Sequence, residues 1–409
     1  MKLRNLMYAT MIACAFASCS KDDVPNPDNG QETKGTVLSV KFDAPLATKA
    51  DGDIDEKIEN LSMFVFSNGV LEVIGTSKED NSKIAEAEVS LSDKNVLLVA
   101  NSKSEISFPA GTSYETVIKA LNLDYSFEST ENGSLSMNSK LYTGLTITPN
   151  KVNCLGFNEL PNGSVYVGGI EEAKAKQLVK MYRNVAKVVL TSVKTKETPS
   201  SQTWSAYKEP QLDIENVYIL QAKKNTKLVP ADASEYGATE SDATFLCGSN
   251  FNNYEDDDMY PLVSAEEYAG YNIANTDMWT AVTKAGITPN LPFYVYENTD
   301  DTYKTLLVVA GKFSYLNQQN ERTYVEGTRY YPVAIGHTNA QFSDAAKELL
   351  KLRSIEDEMA GVYRNLQYNV NLTIVGPGYQ RPTGGGDPTM LESQVEVVAY
   401  GDVNQDVEI

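Results

Sequence analysis

Apolar and polar residues alternate with a period of two in segments spread along nearly the whole chain. Near the start, Leu38, Val40 and Phe42 alternate with polar residues, which is the pattern of a strand that buries one face. Comparable segments predict further strands at residues 61–66, 70–74, 95–100, 141–147, 151–157, 183–190, 214–221, 291–296, 305–313, 330–335 and 369–375. Strands are therefore the main elements that we expect.

Turns and helices interrupt this series at a few places. Asn68 and Gly69 separate two predicted strands, and this dipeptide favours a two-residue hairpin turn. Residues 114–121 predict one short helix. Residues 342–359 predict an amphipathic helix, with apolar positions at Ala345, Leu349, Leu352 and Ile355.

The series of strands restarts near residue 180, which indicates a domain boundary. Strands joined by long polar loops predict an all-β fold of two β-sandwich domains, with a few short helices in insertions. We expect the first domain at residues 35–178 and the second at residues 179–409. The acidic, weakly patterned stretch 222–290 is interpreted as loops of the second domain.

The last fifteen residues carry the sharpest alternation. Their odd positions are mainly apolar and their even positions mainly polar, which predicts a ribbon about 50 Å long at roughly 3.3 Å per residue. It is either the last strand of its own sandwich or an arm that docks on another molecule. Its length, against a common strand length of about 5–6 residues, and the Gly- and Pro-rich segment 376–388 before it favour an arm. We call this predicted arm, residues 395–409, the donor strand. Its apolar positions are Val395, Val397, Ala399, Val403, Val407 and Ile409.

The N-terminus has the pattern of an export signal rather than of a folded element. Basic residues precede a short apolar stretch, and Cys19 follows Phe16, Ala17 and Ser18, which resembles a bacterial lipobox. We expect a signal peptide at residues 1–18, lipidation at Cys19, and a polar tether at residues 19–34. Residues 20–23 resemble the acidic export tag of bacteroidete surface lipoproteins. The alternative is an ordinary signal peptide with a coincidental cysteine.

Composition excludes one large class of partners. The formal net charge is -20, with 35 Lys and Arg against 55 Asp and Glu. Nucleic acids require a basic face, so the charge argues against them. It argues equally against electrostatic docking on an anionic membrane, and favours a soluble, repulsive exterior.

Cysteines give little evidence of chemistry. Of the four, Cys14 lies in the signal and Cys19 at the lipid site. Cys154 and Cys247 are far apart and lack metal-ligand spacing. They are either buried thiols or one disulfide, which an exported protein permits; we favour two separate buried thiols.

Candidate catalytic, metal-binding and cofactor-binding groups are scarce. The sequence has one histidine, His337, too few for a triad or a zinc site; we expect it in a loop or at a strand end. The acidic residues from Asp402 to Glu408 lack the glycine of a calcium loop. Asp256–Asp258 is better explained as a solvated loop, and no carboxylate pair stands out for glycoside hydrolysis. We therefore expect no catalytic residue, no metal and no cofactor, and a protein that is not an enzyme.

Four segments carry a family resemblance. Residues 59–66 and 95–101 are similar to the first domain of FimA-type fimbrillins, the type V pilins among bacteroidete surface lipoproteins. Residues 182–188 resemble the opening strand of their second domain, and residues 368–378 resemble their C-terminal region. The segments occur in the family's order and spacing over nearly the whole chain. The resemblance also implies sandwiches of Greek-key, transthyretin-like type.

The resemblance implies a mechanism of assembly. Family members are exported as palmitoylated lipoproteins, a trypsin-like protease cuts after the first strand, and that strand leaves. Here the displaced strand would include Leu38, Val40 and Phe42, within a propeptide strand at residues 35–49. The cut would follow Lys49 and leave Ala50 as the new N-terminus, with Lys34 as a weaker candidate. The C-terminal strand of the next subunit would then fill the groove.

The predicted function is that of a structural subunit of a cell-surface fimbria that supports adhesion. Expected partners are identical or related pilin subunits, the maturation protease, and a host or bacterial surface receptor; the membrane is reached only through the precursor's lipid, in the outer membrane. The alternatives are a tip or anchor subunit, and a monomeric glycan-binding surface lipoprotein with an exposed aromatic platform. An enzyme is the least supported hypothesis.

Overall fold

The structure is a computed structural model of the chain. It describes residues 35–43, 58, 60–77, 83–102, 107–121, 123–124, 135–197, 207–223, 225–226, 282–337, 339–351, 355, 360–382 and 391–400. Strands dominate these residues and the helices are few and short. The prediction of a mostly β protein is confirmed.

In the described residues, eleven strands and two helices precede the middle of the chain. The strands are β1 (Val37–Asp43), β2 (Leu61–Ser67), β3 (Val70–Ser77), β4 (Ile84–Glu88), β5 (Lys94–Ala100), β6 (Leu123–Asp124), β7 (Met137–Ser139), β8 (Tyr142–Leu145), β9 (Val152–Leu155), β10 (Val165–Tyr166) and β11 (Val179–Arg183). The helices are α1 (Tyr114–Ala120) and α2 (Glu172–Lys176).

Seven of these strands pair in a closed ring. From β1 the ring runs through β4, β3, β2, β5, β7 and β11, and β11 pairs with β1 again. Strands β9 and β10 extend from β1, and β8 pairs with β5 outside the ring. The sandwich of two separate sheets that was predicted for this region is therefore not confirmed, because β1 joins both ends of one continuous sheet.

Local chemistry accounts for the side of the ring formed by β2 and β3. Asn68 and Gly69 have φ values of 51° and 78°, the left-handed pair that a type I′ hairpin turn needs, so the predicted hairpin is confirmed. Ser113 caps α1 by accepting a hydrogen bond from the backbone N–H of Thr116. Val117 of this helix packs on the outer face of β2 and β5. These two strands are consequently apolar on both faces.

Ten further strands follow in the described residues, and nine of them form two further sheets. They are β12 (Ala186–Thr195), β13 (Lys208–Leu220), β14 (Asn225–Thr226), β15 (Leu291–Val295), β16 (Leu306–Leu316), β17 (Arg322–Tyr324), β18 (Arg329–Ala334), β19 (Ala340–Phe342), β20 (Leu366–Ile374) and β21 (Leu391–Ala399), with helix α3 (Asp344–Lys351).

Two sheets of this second unit share one core. One has the order β15-β12-β20-β21-β19, and in the other β16 pairs with β13, β17 and β18. Apolar side chains from both sheets, such as Val188, Val309 and Tyr368, are buried in a single cluster. Strand β14 does not join either sheet: it pairs with β6 of the first unit.

The chain crosses between the units a few residues later than predicted. Strand β11 pairs with β1 and β7 of the ring, whereas β12 begins at Ala186 in the second unit. The expected boundary at residue 179 therefore falls at the start of a first-unit strand, and the predicted single strand 183–190 is interrupted at Asn184 and Val185.

Helix α3 is shorter than predicted and faces the core differently. Its buried residues are Ala346 and Leu350, four positions apart on the side that contacts β21. Ala345, a predicted core position, is exposed. The reason is local: Ser343 accepts a hydrogen bond from the N–H of Ala346 and starts the helix there. Leu352 lies outside the described residues.

Candidate functional site

Strand β1 lies between different neighbours on its two edges. On one side it is antiparallel to β4, with Val40 opposite Ala85. On the other side it is parallel first to β9 and then to β11, with Phe42 opposite Val179. In the described chain β1 is the strand that joins β4 to β9 and β11, so its removal would open the ring at this point. We call the position that it occupies the slot.

The side chains of β1 separate by face as the alternation predicted. Leu38, Val40 and Phe42 are fully buried, at 0%, 0% and 1% exposure, in the core enclosed by the ring. Ser39, on the opposite face, donates a hydrogen bond to Glu86 of β4. The strand is thus held by its main chain on both edges and by three apolar side chains inside.

A glycine beside the slot lets the backbone of β1 come close. Gly156 follows β9, has a φ of 87°, and lies where a Cβ would stand 2.0 Å from the carbonyl oxygen of Lys41. The approach occurs where β1 changes partner from β9 to β11. Any side chain at position 156 would compete with the strand for this space.

Strand β4 was missed by sequence analysis although it forms one wall of the slot. Ala85 and Ala87 point into the core and Glu86 faces outward with Ser39, so a period of two is present. It escaped notice because alanine and glutamate are depleted in strands. The signal that could have found it is the run of alternating residues 84–89.

The predicted donor strand is divided by the structure. Val395, Val397 and Ala399 lie in β21, are buried at 0%, 0% and 3%, and pair with β20 along its whole length. The structure places these residues in the last strand of their own sheet. The expected arm is therefore shortened to residues 401–409, which lie outside the described residues together with Val403, Val407 and Ile409.

Other predicted site residues also lie outside the described residues. They are the lipidation site Cys19 and the maturation residues Lys49 and Ala50, along with Lys34 and Cys247. Cys154 is a buried free thiol, and burial raises its pKa. His337 lies in the turn after β18, as expected.

A network of buried polar side chains joins the two units. The guanidinium of Arg364 donates through Nε to Glu297 at 2.9 Å, and both side chains are nearly inaccessible, at 4% and 1%. Its Nη1 donates to Asn184 at 2.9 Å, and its Nη2 donates to Thr226 of β14 at 2.9 Å. Arg364 thus contacts the crossing segment and the strand that pairs with the first unit.

Metal-ligand clusters and membrane-spanning helices are not found in the described part of the chain. Its acidic, cysteine and histidine side chains form no group that could hold a metal ion. Its helices are too short and too polar to cross a bilayer. The exposed large hydrophobic side chains that it contains are Val70, Leu160, Leu178 and Tyr324.

Comparison with known proteins finds similarity to major fimbrial subunits. A FimA type-2 major fimbrium subunit of Porphyromonas gingivalis is 24% identical to this chain over 93% of each, and a type-3 subunit is 23% identical over the same shares. The sequence profile of the family described as major fimbrial subunit protein (FimA) matches residues 36–198, which include β1, β4, β9 and β11. Along nearly its whole length the chain is therefore similar to FimA major fimbrial subunits.

The solved structure of a FimA fimbrilin from Porphyromonas gingivalis W83 has the same fold. It superimposes with a TM-score of 0.59 at 20% sequence identity and covers 91% of this chain and 99% of its own. FimA proteins are subunits of cell-surface fimbriae, which assemble with related subunits, and the family is not known for enzymatic activity.

Proposed function

We propose that this chain is a stalk subunit that polymerises by exchange of strands. In the precursor, β1 completes the ring of its own molecule. After proteolysis β1 leaves, and the C-terminal tail of the next subunit, residues 401–409, takes its place in the slot. The observation that carries the proposal is the position of β1: it is the first described strand of the chain, it lies between β4 on one edge and β9 and β11 on the other, and its removal would open the ring and expose an apolar groove.

Release of β1 requires one covalent cut. The strand ends at Asp43, and the proposed bond after Lys49 matches a protease that prefers basic residues. A cut after Lys34, the weaker candidate, would leave β1 joined to the subunit, because Lys34 precedes the strand. After the cut, β1 is held only by its noncovalent pairing. It becomes an exchangeable peptide, because its replacement no longer requires the unfolding of a continuous chain.

The vacated slot specifies the kind of segment that can enter. It presents two unpaired strand edges and the three positions that Leu38, Val40 and Phe42 occupied. Main-chain hydrogen bonds on both edges give affinity, and alternate apolar side chains give specificity, as in other cases of strand addition. One face of the tail supplies apolar residues at Val403, Val407 and Ile409, with the polar Gln405 between the first two.

The precursor is proposed to reach the cell surface as a lipoprotein. Cys19, lipidated in the outer membrane, would hold the chain through the burial of acyl chains, at about 0.8 kcal/mol per CH₂. The cut after Lys49 would then release the subunit from its lipid as it opens the slot. An anchor subunit would retain Cys19, so the N-terminus of fimbrial material distinguishes the two roles.

Deletion of residues 401–409 tests the proposal while it leaves β21 complete. We expect the matured variant to fold as a monomer and to form no multimers that resist mild denaturant. A variant of full length, in which Val403, Val407 and Ile409 are each replaced by Asn, should behave in the same way. Replacement of Asp402, Asn404 and Asp406 by Ser is the matched control and should polymerise. Multimers of the deletion variant would overturn the proposal.

A further inference from the structure

Arg183 holds the last described residue of the chain. It is the final residue of β11 and is fully buried at 0% exposure, as is Tyr400 at 6%. The Arg183 guanidinium lies over the Tyr400 ring, 4.0 Å from its centroid. Its Nη1 also donates a hydrogen bond to the Tyr400 carbonyl oxygen at 3.0 Å. The Arg183 side chain therefore contacts both the ring and the main chain of Tyr400.

Asn365 completes this arrangement, which we call the clasp (Arg183, Asn365 and Tyr400). The side-chain oxygen of Asn365 accepts a hydrogen bond from the Arg183 N–H at 3.1 Å. Its carbonyl oxygen accepts from the Tyr400 N–H at 3.1 Å, and its own N–H donates to Val185 at 2.9 Å. Asn365 has a φ of 60°, which asparagine tolerates better than most residues. The main chain of Tyr400 is thus fixed at both its N–H and its carbonyl.

The same strand that carries Arg183 also borders the slot. In β11, Val179 pairs with Phe42 of β1, and Arg183 lies at the opposite end of these five residues. Residues 401–409 begin directly after Tyr400. A single short strand therefore connects the slot, where a neighbour's tail would enter, to the point from which the chain's own tail departs.

We propose that the clasp fixes the root of the donating tail beside the accepting slot of the same subunit, with Arg183 as the positioning residue. The inference rests on the proposed function. In a fibre, tension from the strand seated in the slot passes through β11 and the clasp to the subunit's own tail. The tension is therefore not borne first by the hydrogen bonds between β21 and β20. Without the clasp, these bonds would break first at Ala399, the end of β21.

Substitutions at position 400 separate the clasp from simple burial. In Tyr400→Leu the site stays apolar and the backbone hydrogen bonds remain available, but the ring over the guanidinium is lost. Tyr400→Phe keeps the ring and is the matched control. Arg183→Met, of similar length and without charge, removes the grip from the other side. Circular dichroism and thermal unfolding establish that each full-length variant is folded.

The first readout is hydrogen exchange in the full-length monomer, which does not depend on assembly. We expect the amides of residues 400 and 401 to exchange at least about tenfold faster in Tyr400→Leu than in the wild type, and within about twofold of the wild type in Tyr400→Phe. A tenfold change corresponds to about 1.4 kcal/mol. Equal exchange in Tyr400→Leu and Tyr400→Phe would overturn the inference, and Arg183→Met decides the matter if Tyr400→Leu does not fold.

The second readout is the rupture force of single fibres pulled end to end. Fibres of Tyr400→Leu should break at lower force than those of Tyr400→Phe. Equal force would overturn the mechanical part of the inference. Loss of assembly in folded Tyr400→Leu, with assembly retained in Tyr400→Phe, would support the positioning role. Polymerisation without residues 401–409 would instead refute the proposed function. The hydrogen-exchange experiment would still test the clasp, because it is carried out on the monomer.

Discussion

The carbonyl oxygen of Lys41 lies 2.0 Å from the place where a Cβ on Gly156 would stand. A strand in the slot and a side chain at position 156 therefore exclude each other. In Gly156→Ala we expect the precursor to lose about 2–4 kcal/mol of unfolding free energy, because the left-handed backbone costs about 1–2 kcal/mol and β1 must also shift. Chemical denaturation of the precursor measures this loss.

Gly163 provides the control for that substitution. It has a similar φ, 81°, but no atom lies within 4 Å of its added Cβ. Gly163→Ala should therefore cost only the backbone term, about 1–2 kcal/mol. If both variants lost the same free energy, the close approach of β1 to Gly156 would have no energetic weight.

The buried ion pair between Arg364 and Glu297 should be more sensitive than any surface pair. In Glu297→Gln the guanidinium of Arg364 remains buried without its carboxylate, and loss of one partner of a buried pair costs about 3–5 kcal/mol. Denaturant unfolding should show a loss of that size. Lys196 and Glu392 form an exposed pair at 2.7 Å, so Glu392→Gln should cost less than about 1 kcal/mol. Equal effects would contradict the assignment of Arg364 as a buried link between the units.

Sequence periodicity was sufficient to predict strands that have one face in an apolar environment and the other in a polar environment. Strand β1 was predicted because Leu38, Val40 and Phe42 are apolar and their neighbours are not. The β2–β3 hairpin was predicted because Asn68 and Gly69 favour one turn type. In both cases the information is local, so a single sequence contains it.

The closure of the ring could not be predicted in this way. It depends on which strand edges meet, such as Val40 with Ala85 and Phe42 with Val179, and alternation does not specify a partner. The same limit explains the shortened tail. Val395 and Val397 have the pattern of a buried strand whether they enter their own core or a neighbour's slot, and the structure places them in their own core.

Protonation of His337 should destabilise the protein. Burial lowers the pKa of this imidazole and nearby Lys304 lowers it further, while Asp301, 3.9 Å from Nδ1, raises it in part. Its Nε2 is buried without a hydrogen-bond partner. Since the folded pKa lies below the ordinary value of 6.5, the neutral form is the one that folding favours. This contribution is complete above about pH 6.5 and is lost as the pH falls through the folded pKa.

A direct NMR titration can check the His337 prediction, because this is the sole histidine of the chain. In protein without a histidine tag, its imidazole resonance should titrate with a pKa below 6.5. His337→Gln should remove the corresponding part of the pH dependence of stability between pH 8 and pH 5. A pKa at or above 6.5 would show that Asp301 outweighs burial.

Cys154 should report whether β1 occupies the slot. It lies in β9 directly opposite Ser39 of β1 and is buried. Burial also raises the pKa of its thiol, and a protonated, inaccessible thiol reacts slowly. In a form that begins after Cys19 and carries Cys247→Ser, Cys154 is the single thiol. We expect slow reaction with a thiol reagent in the precursor and a rate at least about tenfold higher once β1 has been cut and displaced, because exposure of the thiolate governs reactivity.

Addition of a peptide of residues 401–409 should restore slow reaction if the tail fills the slot, whereas a peptide with Asn at positions 403, 407 and 409 should not. Rapid reaction of the uncut precursor would mean that β1 does not cover Cys154, and protection by both peptides would mean that the apolar residues of the tail do not determine its binding.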